Sequence, residues 1–428
     1  MENNKNKKNL SPEEERIMQE RMLERRQQRA QQKKAAEEKK EKRQHKTAKL
    51  RSFAIAFLAV IVVLSLLFVA ARSLGNVTFS KAADYISQSI SNLKPGNGYP
   101  VELGTGTVQN IKSLGDCIAI LRDDSVLLLN STAKELNDYS HSYSKPVISV
   151  SSGRMLVTDR TTGRYFIADS SDILHEAELH TEVYCAQAGV KGNYAFSCAD
   201  DDASSVLKVC NSKFETQFSF KCSKEYIIGI SLSANGKYLA AIGIGSEKAA
   251  VYSKLYLIDI NEQQVINEFD FKGETLSRVF YSSNNSVIAV SENAYYIVEK
   301  NSELEKIGFD NNTISSFVTH ENGNFALVLS KYGSIDSGLV AVFDSKGKEK
   351  YTIQLNSGID CIDYDGKNIS FVDSSNVLYS YNSNGKLIGK TQLDNSAQKL
   401  AVNGKYCYTL CYGDLLRMNV RTNLNEEK

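Results

Sequence analysis

The sequence predicts an all-β fold: a β-propeller of eight blades, with seven as the alternative count, preceded by an N-terminal cytoplasmic helix and one transmembrane helix. Three observations predict it. A turn-plus-strand phrase recurs eight times at a period near forty residues, each unit holds several short β-rich segments divided by turn residues, and an uncharged apolar run separates a basic leader from the repeats.

The leader comes first. Residues 1–52 hold 17 Lys and Arg against 9 Glu, a net charge of +8. Ser11 can cap a helix, Pro12 suits its first position, and Glu14 can reach back to complete a capping box. Between Glu13 and Thr47 the large apolar residues are Ile17, Met18, Met22 and Leu23, which form no heptad, so this helix is polar all round. No aromatic residue precedes Phe53, which removes the stacking platform a single-stranded nucleic acid needs, and no nucleic-acid partner is expected. A basic helix of this kind suits anionic lipid heads, or a solvated tail that sets membrane orientation.

From Phe53 to Ala71 the chain has no charge, and Ser65 is its single polar residue. At ~1.5 Å per residue such a helix spans roughly 28 Å, close to the ~30 Å hydrocarbon core. A cleaved signal peptide would carry a shorter apolar region behind a shorter leader. Lys46, Lys49 and Arg51 outweigh Arg72, which puts the N-terminus in the cytoplasm and the remainder outside. Residues 73–428 hold 33 basic and 41 acidic residues, net −8. Ile86, Ile90 and Leu93 follow helical spacing until Pro95-Gly96. The expected organisation is a basic cytoplasmic segment over 1–52, a transmembrane helix over 53–72, an amphipathic stalk over 73–98 and an extracytoplasmic propeller over 99–428.

The repeats align on a small turn before a strand: "LGDCIAIL" at Gly115, "SGRMLVTD" at Gly153, "KGNYAFSC" at Gly192, "NGKYLAAI" at Gly236, "NNSVIAVS" at Asn285, "NGNFALVL" at Gly323, "DGKNISFV" at Gly366 and "NGKYCYTL" at Gly404. Their spacings are 38, 39, 44, 49, 38, 43 and 38 residues. The fullest unit, "IIGISLSANG", "KYLAAIGIGS", "SKLYLIDI", "QVINEFDFKG", supplies four strands, enough for one blade. The last unit supplies three. The orphan segment "YPVELG", Tyr99 to Gly104, is therefore expected to complete the last blade and remove the open sheet edges between the chain ends.

There is no Trp, and the His and Trp-Asp marks of WD repeats are missing. "LYLIDINEQQVINEF", Leu255 to Phe269, resembles the third and fourth strands of quinoprotein-type repeats without their docking tryptophan. "GNGYPVEL", "HSYSKPVISVSSGRMLVTDRTTGRYFI" and "SLSANGKYLAAI" more closely resemble an uncharacterised family of bacterial proteins in which one N-terminal span joins an extracytoplasmic propeller. The resemblance implies fold and topology and brings no activity with it.

Chemistry-bearing residues are sparse. "DYDGKN", Asp363 to Asn368, opens like a calcium loop, but it lacks the closing Glu and falls at the phase of a blade turn. Asp200, Asp201 and Asp202 form an acidic loop that suits a cation or a basic partner, although three adjacent carboxylates cannot all reach one ion. Gly243 and Gly245 in "IGIGSEK" sit between two strands, so no helix N-terminus is offered to a phosphate. His141, His175, His180 and His320 show no metal spacing, and there is no nucleophile-elbow GxSxG. All eight cysteines follow the apolar run, where oxidation is possible. Strand register arithmetic makes Cys185 and Cys198, or Cys198 and Cys210, a possible disulfide, against a reading of small buried apolar residues.

These features favour a non-catalytic envelope module that binds a protein or cell-wall component through one propeller face, with no cofactor and no metal ligand set. The alternatives are a propeller enzyme of lactonase, dehydrogenase or glycan-active hydrolase type with a site dispersed over several blades, and a transmembrane signalling component.

Overall fold

The computed structural model of the protein describes residues 95–104, 107–299, 304–331 and 337–422. The expected cytoplasmic helix and transmembrane helix lie outside the described residues, as does all of the stalk before Pro95. Among the described residues no helix is long and apolar enough to cross a membrane. Every regular element described is a strand, and the strands form eight four-stranded antiparallel sheets. The count is eight blades. Blade one covers 108–140, two 146–178, three 183–222, four 226–272, five 276–308, six 312–355 and seven 359–392.

Blade eight takes three strands from 397–419 and its fourth from the other end of the chain. Val101–Glu102 pairs antiparallel with the third strand, Val101 opposite Leu415 and Glu102 opposite Asp414. The expected closure by the "YPVELG" segment is thus the observed one. Its preceding residues act as a clasp. Gly96 N donates to Thr132 Oγ1 at 2.9 Å and Gly98 N to Thr132 O at 3.1 Å. A Cβ on Gly96 would lie 2.3 Å from Lys134 N, so glycine is required for this approach. Tyr99 donates to Asn130 O at 2.9 Å, meets the Tyr408 ring edge-on at 5.5 Å, and lies under the Arg417 guanidinium at 5.3 Å. The Tyr99-Pro100 peptide is cis.

Each blade is apolar on both faces, as the unbroken runs "CIAILR" and "YAFSC" indicate. Alternate residues serve different neighbours. In "CIAIL", Ile118 and Ile120 pack toward blade eight, while Ala119 and Leu121 pack toward blade two. Eight apolar cores result, one between each consecutive pair of blades, the one between eight and one including Leu103, Tyr408, Leu410 and Leu415. Innermost strands are also joined side chain to backbone: Ala188 N donates to Ser149 Oγ, Leu232 N to Gln187 Oε1, Tyr281 N to Ser231 Oγ and Val402 N to Asp363 Oδ2, at 2.7–3.0 Å.

Because strands run up and down, the turns joining first to second and third to fourth strands share one face, and the remaining connections share the other. The repeated glycines occupy the first face with positive φ, for example 72° at Gly236 and 75° at Gly192. Third strands end on Asx turns: Asn130, Asn211, Asp344 and Asn382 each accept from two backbone N–H groups within four residues. The Asp365 carboxylate of "DYDGKN" does likewise, accepting from Lys367 N and Asn368 N at 2.9 and 2.6 Å, so this motif is a blade turn.

Removing the clasp should open the ring. Tyr99→Ala deletes a hydrogen bond, a ring contact and packing together, and is expected to cost about 3 kcal/mol. Deletion of 99–104 should lower the melting temperature further, because a sheet edge is then exposed. Calorimetry of both variants checks this, and unchanged melting of the deletion would contradict the closure.

Candidate functional site

The two faces of the ring differ. On the face of the repeated turns, Asn193 Nδ2 donates to Gly236 O, Asn368 Nδ2 to Gly404 O, and Asn403 Nδ2 to Gly115 O, which stitches turn to turn. Across this face runs a strut. Glu321 Oε1, on the turn of blade six, accepts from Ser151 Oγ at 2.7 Å and Ser152 N at 2.8 Å on the turn of blade two. Blades two and six stand opposite each other in a ring of eight, so one carboxylate spans the axis.

The opposite face has no such crossing among the described hydrogen bonds, and it is open. Here the innermost strands carry a repeated irregularity. In every blade except two, the pairing with the second strand slips by one residue near the start of the innermost strand. The slips fall at Gln109, Tyr184, Ile228, Ser277, Ser315, Asp360 and Gln398. Bulges re-aim side chains, and these seven form one tier around the axis. Their types are unlike one another. Ser277 and Ser315 spend their hydroxyls on Val290 O and Val328 O at 3.2 Å, and Gln109 donates to Asp123 Oδ1. Burial, with Asp373 nearby, pushes the Asp360 carboxyl above its usual range.

Blade four stands out on this open face. Its second and third strands, Tyr238–Glu247 and Ala250–Asp259, have ten residues each, against five to seven in every other blade. This extension accounts for the 49-residue repeat spacing. Its tip turns at Lys248 and Ala249, both with positive φ. A buried polar knot holds it. The Glu225 carboxylate, 4% exposed, accepts from Tyr252 at 2.6 Å, Tyr256 at 2.8 Å and the Cys222 thiol at 3.1 Å. Burial alone would raise the pKa of Glu225, but these three donors and nearby Lys254 more than offset it and hold the carboxyl below its ordinary range.

The glycines of "IGIGSEK" now have a reason. A Cβ on Gly243 would lie 2.7 Å from Glu225 Cβ, and one on Gly245 would lie 2.6 Å from the Tyr252 ring. They make room for the knot, not for a phosphate. Around it lie exposed apolar side chains: Tyr226, 55% exposed, Ile228, 39%, and Val251, 51%. Tyr226 meets Tyr184 of blade three edge-on at 6.0 Å. With Tyr412 on blade eight, four of the five large exposed hydrophobics among the described residues belong to the open face.

The residues singled out by sequence are spread over both faces without converging: the 200–202 loop lies on the open face, whereas His320 and the Asp363–Asn368 turn lie on the strutted one. Lys221 Nζ donates to Asp200 at 2.8 Å and Asp202 at 3.2 Å, folding the acidic loop onto its own blade and leaving Asp201 at the exposed tip. Among the described residues no three His, Cys, Asp or Glu side chains are grouped to hold a metal ion. The histidines are dispersed, His175 stacked on Phe214 at 4.3 Å and His141 on Tyr143 at 4.8 Å. All eight cysteines are free thiols. The turn between the first and second strands places Cys185 opposite Ser197; Cys198 lies opposite Val183 and Val206, and Cys210 opposite Tyr194. Cys185 packs toward blade four, whereas Cys198 and Cys210 pack toward blade two, so the facing pairs expected from the register do not form. Burial pushes the Cys198 thiol up to about 11, which leaves it a neutral, weakly nucleophilic group.

Gly243→Ala should force Glu225 to shift and cost about 1–3 kcal/mol by overpacking. The Glu225 contribution has a defined sign. A carboxyl held below its ordinary value stabilises fully above that value, 4.5, and loses the effect as pH falls through the lowered one. The melting difference between the natural chain and Glu225→Gln should therefore shrink below about pH 4.5; a difference that grows there would contradict the charged knot.

Known structures share the fold. Saccharomyces cerevisiae Sqt1 aligns at 12% identity over 77% of this chain and 100% of its own, TM-score 0.53. The computationally designed Ika8 protein aligns at 11% identity over 75% and 98%, TM-score 0.55. Chaetomium thermophilum Sqt1, in complex with the N-terminus of ribosomal protein L10, aligns at 12% identity over 75% and 98%, TM-score 0.50. At these identities the likeness shows the propeller alone. No curated protein matches the chain. Residues 94–417 match DUF5711, a family of unknown function, and the chain belongs to that family.

Proposed function

We propose that this chain is a membrane-tethered binding scaffold of a bacterial envelope, whose open propeller face holds a protein or cell-wall partner. The observation that carries the reading is the difference between the faces. One is stitched and strutted, while the other bears the tier of seven bulges, the blade-four extension and the exposed Tyr226, Ile228 and Val251. Rigid loops and exposed apolar anchors are what recognition needs, and none of this requires chemistry. Chaetomium thermophilum Sqt1, a propeller of the same general form, holds a peptide from another protein.

The apolar run Phe53 to Ala71 supplies the tether, and its charge flanks put residues 1–52 in the cytoplasm, where the basic helix suits anionic lipid heads. The first described residues, Pro95 and Gly96, lie against the Asn130–Lys134 turn, at the rim of the strutted face.

Two measurements test this in intact, wall-stripped cells. Added protease should remove the cysteine-containing mass and spare residues 1–50; the reverse pattern would overturn the topology. A photo-crosslinking residue at Ile228 should give a discrete adduct that the same residue at Lys237, on the strutted face, does not. Equal adducts from both positions, or none from Ile228, would overturn the open-face scaffold.

A further inference from the structure

The charge of the propeller is concentrated on one face. Among the described residues, the connections of the open face carry 11 Asp and Glu against 4 Lys and Arg, and those of the strutted face carry 8 against 9. The acidic excess is spread round the ring, from Asp123 and Asp124 of blade one through Glu182, the 200–202 loop and Glu292 to Asp394. It is not consumed locally. Asp124, Glu182, Asp201, Glu292 and Asp394 are exposed, and among the described residues no ion pair is formed by any of these five. Tyr226, Ile228 and Val251 stand at the junction of blades three and four, beside the 200–202 loop and with exposed Lys224 and Lys248 among them.

We infer that the open face recognises a basic polypeptide segment, Lys- or Arg-rich with aliphatic side chains among the charges, seated over the junction of blades three and four. The inference rests on the scaffold reading and narrows its partner. A face of one sign attracts the opposite charge and repels its own, so phosphate-bearing wall polymers and nucleic acids are disfavoured on approach. Exposed Ile and Val offer nothing to a purely ionic ligand but gain from an aliphatic side chain laid over them, and the Tyr226 ring can take a cation or an aliphatic stem on its face. A basic segment with apolar residues uses both halves of the surface. Such recognition weakens with salt, because exposed charges are screened beyond about 8–10 Å near physiological ionic strength.

The test uses the full chain in non-ionic detergent and a fluorescein-labelled Lys-rich peptide containing leucines. Beside it are run a version with every Lys replaced by Glu, one with every Leu replaced by Ser, and a soluble poly-phosphodiester. Fluorescence anisotropy should show binding of the Lys–Leu peptide that weakens as salt rises, at least ~10-fold weaker binding of the Ser version, and none of the Glu version. Glu182→Gln with Asp201→Asn should weaken the Lys–Leu peptide, whereas Asp116→Asn with Glu262→Gln on the strutted face should not. Ile228→Ser with Val251→Ser should weaken it without changing the salt dependence. Charge reversal, Glu182→Lys with Asp201→Lys, should lose the Lys peptide and gain the Glu peptide, a gain that misfolding cannot produce. Equal binding of Lys and Glu peptides, tight binding of the poly-phosphodiester, or insensitivity to the blade-three variants would overturn the inference. An adduct from Ile228 in cells, without binding of the Lys–Leu peptide, would leave the scaffold standing and sink this narrower claim.

Discussion

Closure of the ring is the constraint from which the rest of this fold follows. No blade contains a core of its own. Each sheet is apolar on both sides, and each of the eight cores is shared by two neighbours. A ring of this kind has no stable partial form at its ends, since an unmatched blade would expose a whole apolar face and a strand edge to water. The join therefore falls where sequence separation is greatest, and it is reinforced beyond the two-residue pairing of Val101–Glu102. Arg417 donates to Ser131 O and lies 4.2 Å over Tyr406 and 5.3 Å over Tyr99, so one guanidinium ties the last blade to the turn of the first.

Closure also fixes the asymmetry between faces. Both Gly96 and Tyr99 reach the Asn130–Lys134 turn, which places the clasp on the side of the repeated glycine turns. That side also carries the Asn stitches and the Glu321 strut, so the devices that hold the ring shut are gathered at one end. The other end is free to vary. There seven bulges interrupt the innermost strands with unlike residues and one blade is extended by a hairpin, changes that leave the interblade cores intact. A rigid ring with one variable end presents loops held in place by packing they do not take part in, which is the form the proposed scaffold needs.

The architecture was legible because it repeats locally. Turn glycines near every fortieth position, runs such as "CIAILR" buried on both sides and the leftover "YPVELG" led to eight blades and to the closing strand. Features built from single, distant residues left no such trace. Glu321 meets Ser151 across 170 positions, and the bulge tier takes one residue from each of seven blades. The cysteine pairs failed for another reason: the turns that follow Cys185 and Cys198 are centred short of the positions a facing pair needs, so Cys185 meets Ser197 and Cys198 meets Val206. One signal was readable. Two glycines inside a strand, Gly243 and Gly245, mark close approach of another group, and that group is the buried knot at Glu225.

That knot shows how the variable end is kept in place. A carboxylate taken out of water is costly unless its oxygens are satisfied, and Glu225 receives three donors, two of them from the extended hairpin at Tyr252 and Tyr256. An apolar residue of the same volume would fill the site at less desolvation cost, but it would impose no particular angle on the hairpin. Hydrogen bonds to two rings on one strand do. They set the base from which Val251 and the tip project, while Gly243 and Gly245 allow the second strand to approach closely enough for the bonds to form. The same residue stands in the connection between blades three and four, one position before exposed Tyr226. Position, charge and apolar exposure at the open face thus converge on a single buried side chain, which orients the one element of the ring that departs most from its repeats.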